Sequence, residues 1–259
     1  MCEGHAVKFS IIVPAYNEEA RIGNMLEAYL PFFVDRYGPN VEFIVVVNGT
    51  TDGTESVVRS YTEKYPSLKC IVEPAHVGKG GAVMLGFSSA QGALVGFVDA
   101  DGATPPEAFQ ALVDSIGDAG AIIASRWRRD SIVSPRQPVS RRIASRIFNV
   151  LVRILFGLAI TDTQCGAKLF QLDLIVKIIP LLGITRWAFD VDLLYQVRKS
   201  GMPIREISTT WHDVKGSKLD VGKASLEMFM SLVRLRLMHS PFKGLVRVFS
   251  PKVFPFFRR

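Results

Sequence analysis

Hydrophobic positions in the first hundred residues fall into four short runs, each followed by polar or turn-forming residues. The runs are FSIIVPA (9–15), VEFIVVV (41–47), LKCIVEP (68–74) and ALVGFVD (93–99). Helix-like segments lie between them, roughly over 17–34, 53–64 and 79–90. Continuous β-branched runs separated by helices indicate a mostly parallel sheet that is covered on both faces. The pattern therefore predicts an α/β, Rossmann-like fold.

The second half of the chain has fewer predicted strands and more helices. AIIASRW (121–127) and residues 203–207 are predicted strands, and helices are predicted near 171–180, 188–200 and 223–238. Residues 141–160 combine apolar positions at helical spacing with four arginines, which predicts an amphipathic helix that packs on the core or lies at a membrane interface. No linker divides the chain. We expect a catalytic domain over 1–222 and a basic amphipathic helix and tail over 223–259.

Positive charge is concentrated in two regions of a chain whose formal net charge is +7. Residues 228–259 contain seven Lys or Arg and no acidic residue, and eight arginines lie between Arg126 and Arg153 beside the single acid Asp130. Such regions predict an anionic partner. In the tail the basic residues alternate with Phe, Leu and Val, which favours an anionic membrane surface over nucleic acid. We therefore expect membrane contact and no nucleic-acid partner.

The chain has neither a long apolar segment nor a cysteine framework. No window of about 18 uninterrupted apolar residues occurs, and the first residues do not have the pattern of a signal peptide. The three cysteines, Cys2, Cys70 and Cys165, are too few and too scattered for a disulfide framework or a zinc site. We expect a peripheral protein on the cytoplasmic side of the cell membrane.

Polar residues that could bind a ligand follow each of the four predicted strands, at 16–18, 48–52, 76–79 and 99–101. In parallel sheets ligands bind beyond the carboxyl ends of the strands, so these residues are expected to form one site. Asp99 and Asp101 offer the carboxylate oxygens that Mg²⁺ or Mn²⁺ prefers, although an aspartate at a strand end can also cap a turn or a helix. Lys79, in the glycine-rich GKGGAV at a helix start, suits a phosphate.

Seven motifs occur in order along the chain: IVPAYNEEARI, NGTTDGT, GKGGAV, VDADG, ASR, DTQCGAKLF and RWAFDVDLLY. They resemble the family 2 glycosyltransferases of the GT-A fold, and among these the polyprenyl-phosphate (dolichyl-phosphate) glycosyltransferases. The resemblance extends from about residue 9 to about residue 238. It implies an inverting enzyme that transfers a hexose, glucose in the most similar members, from a UDP-sugar to a polyprenyl or dolichyl phosphate at the membrane.

The resemblance also implies roles for individual residues. Asp99 and Asp101 would hold Mg²⁺ or Mn²⁺, and Arg126 with Arg141 or Arg142 would hold the acceptor phosphate. Asp101, Arg126 and Asp190 would be the catalytic residues. The residues expected to bind the donor are Pro14, Ala15, Tyr16, Glu18, Asn48, Asp52, Lys79, Asp99, Ala100 and Asp101.

Two positions depart from the family pattern. Val47 and Asn48 replace the acidic pair that often follows the second strand, so Asn48 is the candidate for contact with the base. Ala103 stands where mannosyl-transferring relatives have a metal-binding glutamine, which argues against mannose and leaves diphosphate oxygens and water to complete the metal's ligands.

The chemistry of the acceptor favours a phosphate but leaves alternatives. A phosphate monoester is largely ionised at neutral pH, so it needs positioning more than it needs a general base. Arginine suits that task because its planar fork grips phosphate and stays charged. One alternative is a family 2 transferase that acts on a sugar hydroxyl, with Asp190 as its base. Another is a non-catalytic membrane protein that binds a nucleotide sugar.

Overall fold

The computed structural model describes residues 8–135, 137–183, 187–213 and 221–241, with side chains of the last range from residue 226 onward. Its centre is a seven-stranded sheet, and a separate pair of strands lies beside it. The strands are β1 (Phe9–Ala15), β2 (Val41–Asn48), β3 (Leu68–Glu73), β4 (Leu94–Phe97), β5 (Ala121–Ser125), β6 (Ile132–Ser134), β7 (Lys168–Gln171), β8 (Ile204–Ser208) and β9 (Thr210–His212).

The strand order in the main sheet is β3-β2-β1-β4-β7-β5-β8, and β6 pairs with β9. All neighbours in the main sheet run parallel except β7, which is antiparallel to both β4 and β5. The predicted α/β class with a mostly parallel sheet is confirmed. Strands β6, β7 and β9 were not predicted, because each has only three or four residues and therefore too few positions for a period.

Eight α-helices in the described part of the chain connect or follow the strands. They are α1 (Ile22–Tyr37), α2 (Thr54–Thr62), α3 (Gly78–Ser89), α4 (Pro106–Ser115), α5 (Val139–Phe156), α6 (Leu172–Ile178), α7 (Phe189–Lys199) and α8 (Val221–Met238). The sequence predicted all of them except α4. Helix α1 begins later than predicted because Asn17 adopts a φ of 53°, and its side-chain Oδ1 accepts a hydrogen bond from Thr51 N at 2.9 Å.

The sheet separates two hydrophobic cores. Helices α1, α2 and α4 cover one face, where Phe33 and Phe109 are fully buried. Helices α3 and α5 to α8 cover the other face, where Phe97 and Phe189 are buried. Because both faces are covered, strand β2 is apolar at nearly every position rather than at alternate ones.

Helix α8 packs on the second core and does not stand apart from the rest of the protein. Its Leu232 and Leu235 are fully buried, and the helix lies against α5. The predicted boundary between residues 222 and 223 stays a prediction, and residues 242–259 of the tail lie outside the described residues. Among the helices of the described residues, none combines the length and apolar character that a membrane span requires.

Candidate active site

The carboxyl ends of β1, β2 and β4, with the starts of α3 and α7, enclose a cleft of about 600 Å³, which we call the donor cleft. It lies where the sequence predicted a single site. Eight of the ten predicted donor-binding residues line it, and so does Asp190. The eight are Pro14, Tyr16, Glu18, Asn48, Lys79, Asp99, Ala100 and Asp101.

The paired aspartates lie together on the wall of the donor cleft. Asp99 Oδ1 accepts from Lys79 Nζ at 2.6 Å, and Asp101 Oδ1 accepts from Ala103 N at 3.0 Å. Burial raises the pKa of Asp99, but Lys79, together with Lys168 and Arg126, lowers it by more, and the net shift is downward. Burial and the charge of Asp99 raise the pKa of Asp101. A cation between the two carboxylates would relieve that repulsion.

The two carboxylates of this wall can bind a hard cation whose remaining ligands come from other molecules. Gly166 lies directly behind Asp99, and a Cβ at this position would overlap the Asp99 carboxylate. Only glycine therefore leaves room for the aspartate side chain here. Among the described residues, no three His, Cys, Asp or Glu side chains converge to hold a metal. Two carboxylates suit Mg²⁺ or Mn²⁺ if diphosphate oxygens and water supply the remaining ligands.

One end of the donor cleft offers groups that suit a nucleoside. Asn48 Nδ2 donates to Ala15 O at 3.0 Å, which leaves its Oδ1 buried without a hydrogen-bond partner among the described residues. Nearby, the Tyr16 and His76 rings lie 4.2 Å apart, and Tyr16 is half-exposed. The cleft thus offers an accessible ring surface beside a buried acceptor that has no partner among the described residues.

Two predicted donor-binding residues do not line the donor cleft. The Ala15 side chain is fully buried, and the residue contributes its carbonyl to Asn48 instead. Asp52 accepts from Thr54 N at 3.0 Å and from Glu19 N at 3.2 Å, and it borders a separate cavity of about 80 Å³. Asp52 therefore caps the start of α2 and ties it to the loop after β1.

The opposite wall of the donor cleft is formed around the start of α7. Asp190 lies in the first turn of this helix, and its Oδ1 accepts from Lys168 Nζ at 2.7 Å. Trp187 Nε1 donates to Glu227 Oε2 of α8 at 2.8 Å. Six lining residues were not predicted as site residues: His76, Gly78, Gln164, Trp187, Phe189 and Glu227. Gln164, Trp187 and Phe189 lie in motifs that the sequence singled out, whereas Glu227 lies in an ordinary helical pattern.

A second concavity of about 340 Å³, which we call the arginine pocket, lies beside α5. Arg126 contributes to its wall, but its Nε and Nη2 donate to Asp162 at 2.8 and 2.9 Å. Asp162 is fully buried. Burial raises the pKa of Asp162, but Arg126 outweighs it and holds that pKa below its usual value. Arg126 is thus a fixed part of the wall and presents Nη1 as its remaining nitrogen.

The other arginines of the pocket agree in part with the prediction. Arg142 lines the pocket, whereas Arg141 is not among its described lining residues. Arg128 and Arg146 also line it and were not predicted. Arg146 is held 4.3 Å above the Trp127 ring. The density of arginines between 126 and 153 was the available signal for both.

The sequence of the chain places it among known proteins, since residues 10–178 match the profile of glycosyl transferase family 2. The chain belongs to glycosyl transferase family 2. Dolichyl-phosphate beta-glucosyltransferase of Dictyostelium discoideum is 36% identical over 245 residues, which are 90% of this chain and 75% of that protein. The enzyme of the same name from Drosophila melanogaster is 37% identical over 246 residues, covering 88% and 76%. The family resemblance that the motifs carry is confirmed.

A solved structure supports the fold of this family 2 glycosyltransferase. Glucosyl-3-phosphoglycerate synthase from Mycobacterium tuberculosis, in complex with Mn²⁺, UDP and glucosyl-3-phosphoglycerate, superposes with a TM-score of 0.66 at 18% identity. The match covers 88% of this chain and 79% of that chain. The predicted GT-A fold is therefore confirmed.

One stretch of this glycosyltransferase, residues 161–168, contacts both sites. Asp162 pairs with Arg126 of the arginine pocket, and two residues later Gln164 lines the donor cleft with its Nε2 buried and unpartnered among the described residues. Thr161 N and Asp162 N donate to Glu206 of β8, at 3.0 and 2.9 Å to its Oε1, which fixes the start of the stretch. The two sites are thus built on a common support.

Proposed function

We propose that the chain transfers glucose from UDP-glucose to dolichyl phosphate, or a related polyprenyl phosphate, at a membrane surface. The observation that carries this proposal is the adjacency of an acidic donor cleft and an arginine pocket, joined by residues 161–168. A donor with a metal-bound diphosphate suits the first, and an acceptor phosphate suits the second. The relatives from Dictyostelium discoideum and Drosophila melanogaster are named for the transfer of glucose to dolichyl phosphate.

The choice of a uridine donor is supported by Asn48. Its amide nitrogen is engaged by Ala15 O, so its buried acceptor oxygen is the group that remains for a ligand at this end of the cleft. Uracil, like guanine and unlike cytosine or adenine, carries a ring N–H donor on its pairing edge, and an unpaired buried acceptor is costly until such a donor arrives. Tyr16 and His76 add ring surfaces against which a base can pack.

Asp99 and Asp101 would hold Mg²⁺ or Mn²⁺. When bound, such an ion neutralises the negative charge that develops on the leaving diphosphate. Lys79 places a second positive charge at the same edge, since its ammonium lies 2.6 Å from Asp99. The glucosyl-3-phosphoglycerate synthase of similar fold contains Mn²⁺ together with UDP.

The acceptor phosphate would be held in the arginine pocket. One of its oxygens attacks C1 of the sugar from the side opposite the diphosphate, and the bond from C1 to the diphosphate oxygen breaks, which inverts C1. An ionised phosphate has no proton to lose, so the arginines need only orient it and offset its repulsion from the donor. Arg142, Arg146 and Nη1 of Arg126 are the groups that suit this task.

Helix α5 supports a membrane-facing role. Its exposed apolar residues recur at helical spacing on one face, and Ile154 at 73% is the most exposed of them. Arg142 and Arg146 are exposed on the same helix, which suits an anionic lipid surface. We call this face the α5 stripe; it comprises Val139, Ile143, Ile147, Val150 and Ile154.

The direct test is transfer itself. The purified chain is incubated with UDP-glucose, UDP-N-acetylglucosamine or GDP-mannose, with and without dolichyl phosphate, and both released nucleotide and sugar in the lipid phase are measured. We expect UDP release that depends on dolichyl phosphate, and glucose in the lipid phase. Release that is independent of the lipid, or transfer from GDP-mannose alone, would contradict the proposal.

A sugar-hydroxyl acceptor is the alternative that the position of Asp190 favours, because this carboxylate lines the donor cleft. A hydroxyl must lose a proton during attack, so its base sets a rise of rate with pH. Turnover against pH is therefore compared for the wild type and Asp190→Asn at saturating donor. A rise that is present in the wild type and absent from the variant would support the hydroxyl acceptor.

A further inference from the structure

The motif DTQCGAKLF places a fully buried lysine in the middle of the sheet. Lys168 is the first residue of β7, between β4 and β5, and its side chain has no exposed surface. Its ammonium donates to Asp190 Oδ1 at 2.7 Å and to Cys165 O at 2.5 Å. The Phe97 ring lies beside it, with its centroid 5.3 Å away.

A charge at this place is not explained by stability. Moving two charges out of water is costly, and replacing a buried ion pair by apolar residues is often neutral or stabilising. The next two residues of β7, Leu169 and Phe170, are apolar and fully buried, as expected at the centre of a sheet. The reason for a lysine must therefore lie in its partner, Asp190, which lines the donor cleft.

We propose that Lys168 is a positioning residue that holds Asp190 oriented toward the donor sugar. One carboxylate oxygen is fixed by the ammonium, while Oδ2 has no hydrogen bond with the described residues. That oxygen can accept from a hydroxyl of the sugar. Lys168 is not among the described residues that line the cleft, so it acts through Asp190. The inference rests on the proposed function, since it needs a donor sugar in the cleft.

The same ammonium also fixes the chain beside the paired aspartates. It holds the carbonyl of Cys165, and the next residue, Gly166, lies directly behind the Asp99 carboxylate. Asp99 itself is held by Lys79, so the wall that would hold the diphosphate does not depend on the charge of Lys168. Asn48 lies on β2, three strand spacings or roughly 14 Å from β7. Loss of Lys168 should thus disturb the sugar and leave binding of the nucleoside intact.

The test compares Lys168→Met, Asp190→Asn and the double variant with the wild type. Measured are kcat and KM for UDP-glucose at saturating dolichyl phosphate, UDP binding by calorimetry, and the unfolding midpoint. We expect Lys168→Met to lower kcat by about 10²-fold and to leave UDP affinity unchanged. The double variant should be no slower than Asp190→Asn alone, because the effect of Lys168 on the sugar passes through the Asp190 carboxylate.

Lys69→Met is the matched control, since Lys69 forms an equally short pair of 2.7 Å with Glu42 away from the cleft. The kcat of Lys69→Met should equal that of the wild type.

If the two single losses multiply in the double variant, or if Lys168→Met keeps wild-type kcat, the inference is wrong. If Lys168→Met does not fold, the double variant, which removes both charges, is compared with Asp190→Asn; a further loss overturns the inference and equal turnover supports it. A wild type that transfers no glucose instead overturns the proposed function.

Discussion

The donor cleft and the arginine pocket both suit phosphate groups, but they carry opposite charges. The cleft presents Asp99, Asp101 and Asp190, whereas the pocket presents arginines from α5 and from the loop after β5. A bare phosphate is repelled by the first and attracted by the second. A diphosphate accompanied by a divalent cation suits the first, because the cation reverses the local charge.

Because of this difference in charge, two phosphate-bearing substrates can be directed to different sites even if their phosphate groups have the same shape. In the proposed function the divalent cation belongs to the donor cleft and not to the arginine pocket. Changes in the cleft should therefore abolish chemistry through the donor, while changes in the pocket should weaken the acceptor alone.

The largest effect is expected for Asp101→Asn in the donor cleft. The amide is a poor ligand for a hard cation, so turnover should fall by about 10³-fold or more. The matched control is Asp118→Asn, an exposed carboxylate that pairs with Arg205 far from the cleft, and it should keep wild-type turnover. Turnover is measured by UDP release, with and without EDTA. Wild-type activity that persists in excess EDTA would contradict the metal-dependent donor site.

Arg126→Met tests the support of the arginine pocket rather than its contact with substrate. The change leaves Asp162 buried and unpaired, so the free energy of unfolding should fall by about 3 kcal/mol or more at neutral pH. Adding Asp162→Asn should restore most of it. Chemical denaturation of the three variants measures the effect; a single variant as stable as the wild type would show that the pair is not structural.

Acid should weaken the same pair. The pKa of Asp162 is lowered in the folded protein, so its stabilisation is present above the ordinary value of 3.8 and is lost as the pH falls through the lowered one. The wild type should therefore lose stability more steeply below about pH 4 than the variant that carries both changes.

Arg142→Ala should affect the acceptor and spare the donor. Loss of a charge-assisted hydrogen bond should raise KM for dolichyl phosphate by about 10- to 100-fold, while UDP affinity stays unchanged. Arg205→Ala, at a surface pair outside both sites, is the control. Steady-state kinetics with varied lipid phosphate and calorimetry with UDP separate the two quantities. A weaker affinity for UDP would show that the two sites are not independent.

The smallest effect concerns the α5 stripe. Ile147→Asp with Ile154→Asp should weaken binding to phosphatidylserine vesicles by about tenfold, since a side chain inserted only partly at the interface gains a fraction of the roughly 1.5 to 3 kcal/mol of full burial. Val176→Asp changes an equally exposed side chain of α6, outside the stripe, and should bind as the wild type does. Co-sedimentation measures both. Equal losses in the two variants would assign the effect to charge rather than to the stripe.

The parallel half of the fold and most of the donor cleft could be predicted because their signals are local. Each strand is a continuous apolar run, and the polar residues follow where it ends. The same local signal is also ambiguous. Asp52 and Asp99 both follow a strand, yet Asp52 caps α2 and Asp99 lines the cleft. A short polar side chain can either bond to the start of a helix or line a cleft, and the conformation of the surrounding loop determines which of the two it does.

The remaining contacts join residues that are far apart in the sequence. Arg126 and Asp162 are 36 residues apart, and Lys168 and Asp190 are 22 apart. No spacing rule connects such pairs. The buried lysine also made β7 hard to predict, since a charged residue within a four-residue run removes the apolar pattern of a central strand. The resemblance to family 2 supplied the positions of several site residues, but it did not supply these pairings.

The reversed direction of β7 has a consequence for how the protein reaches its working state. In the correct register Lys168 lies opposite Phe97 on one side and Ile123 on the other. A slip of one position would turn Lys168 into the first core and bring Leu169 toward Asp190. This pairing closes a long loop, so it is expected late in folding. A nucleotide sugar that binds only molecules with the correct register would shift the equilibrium from the misaligned register to the correct one. The substrate would then promote folding.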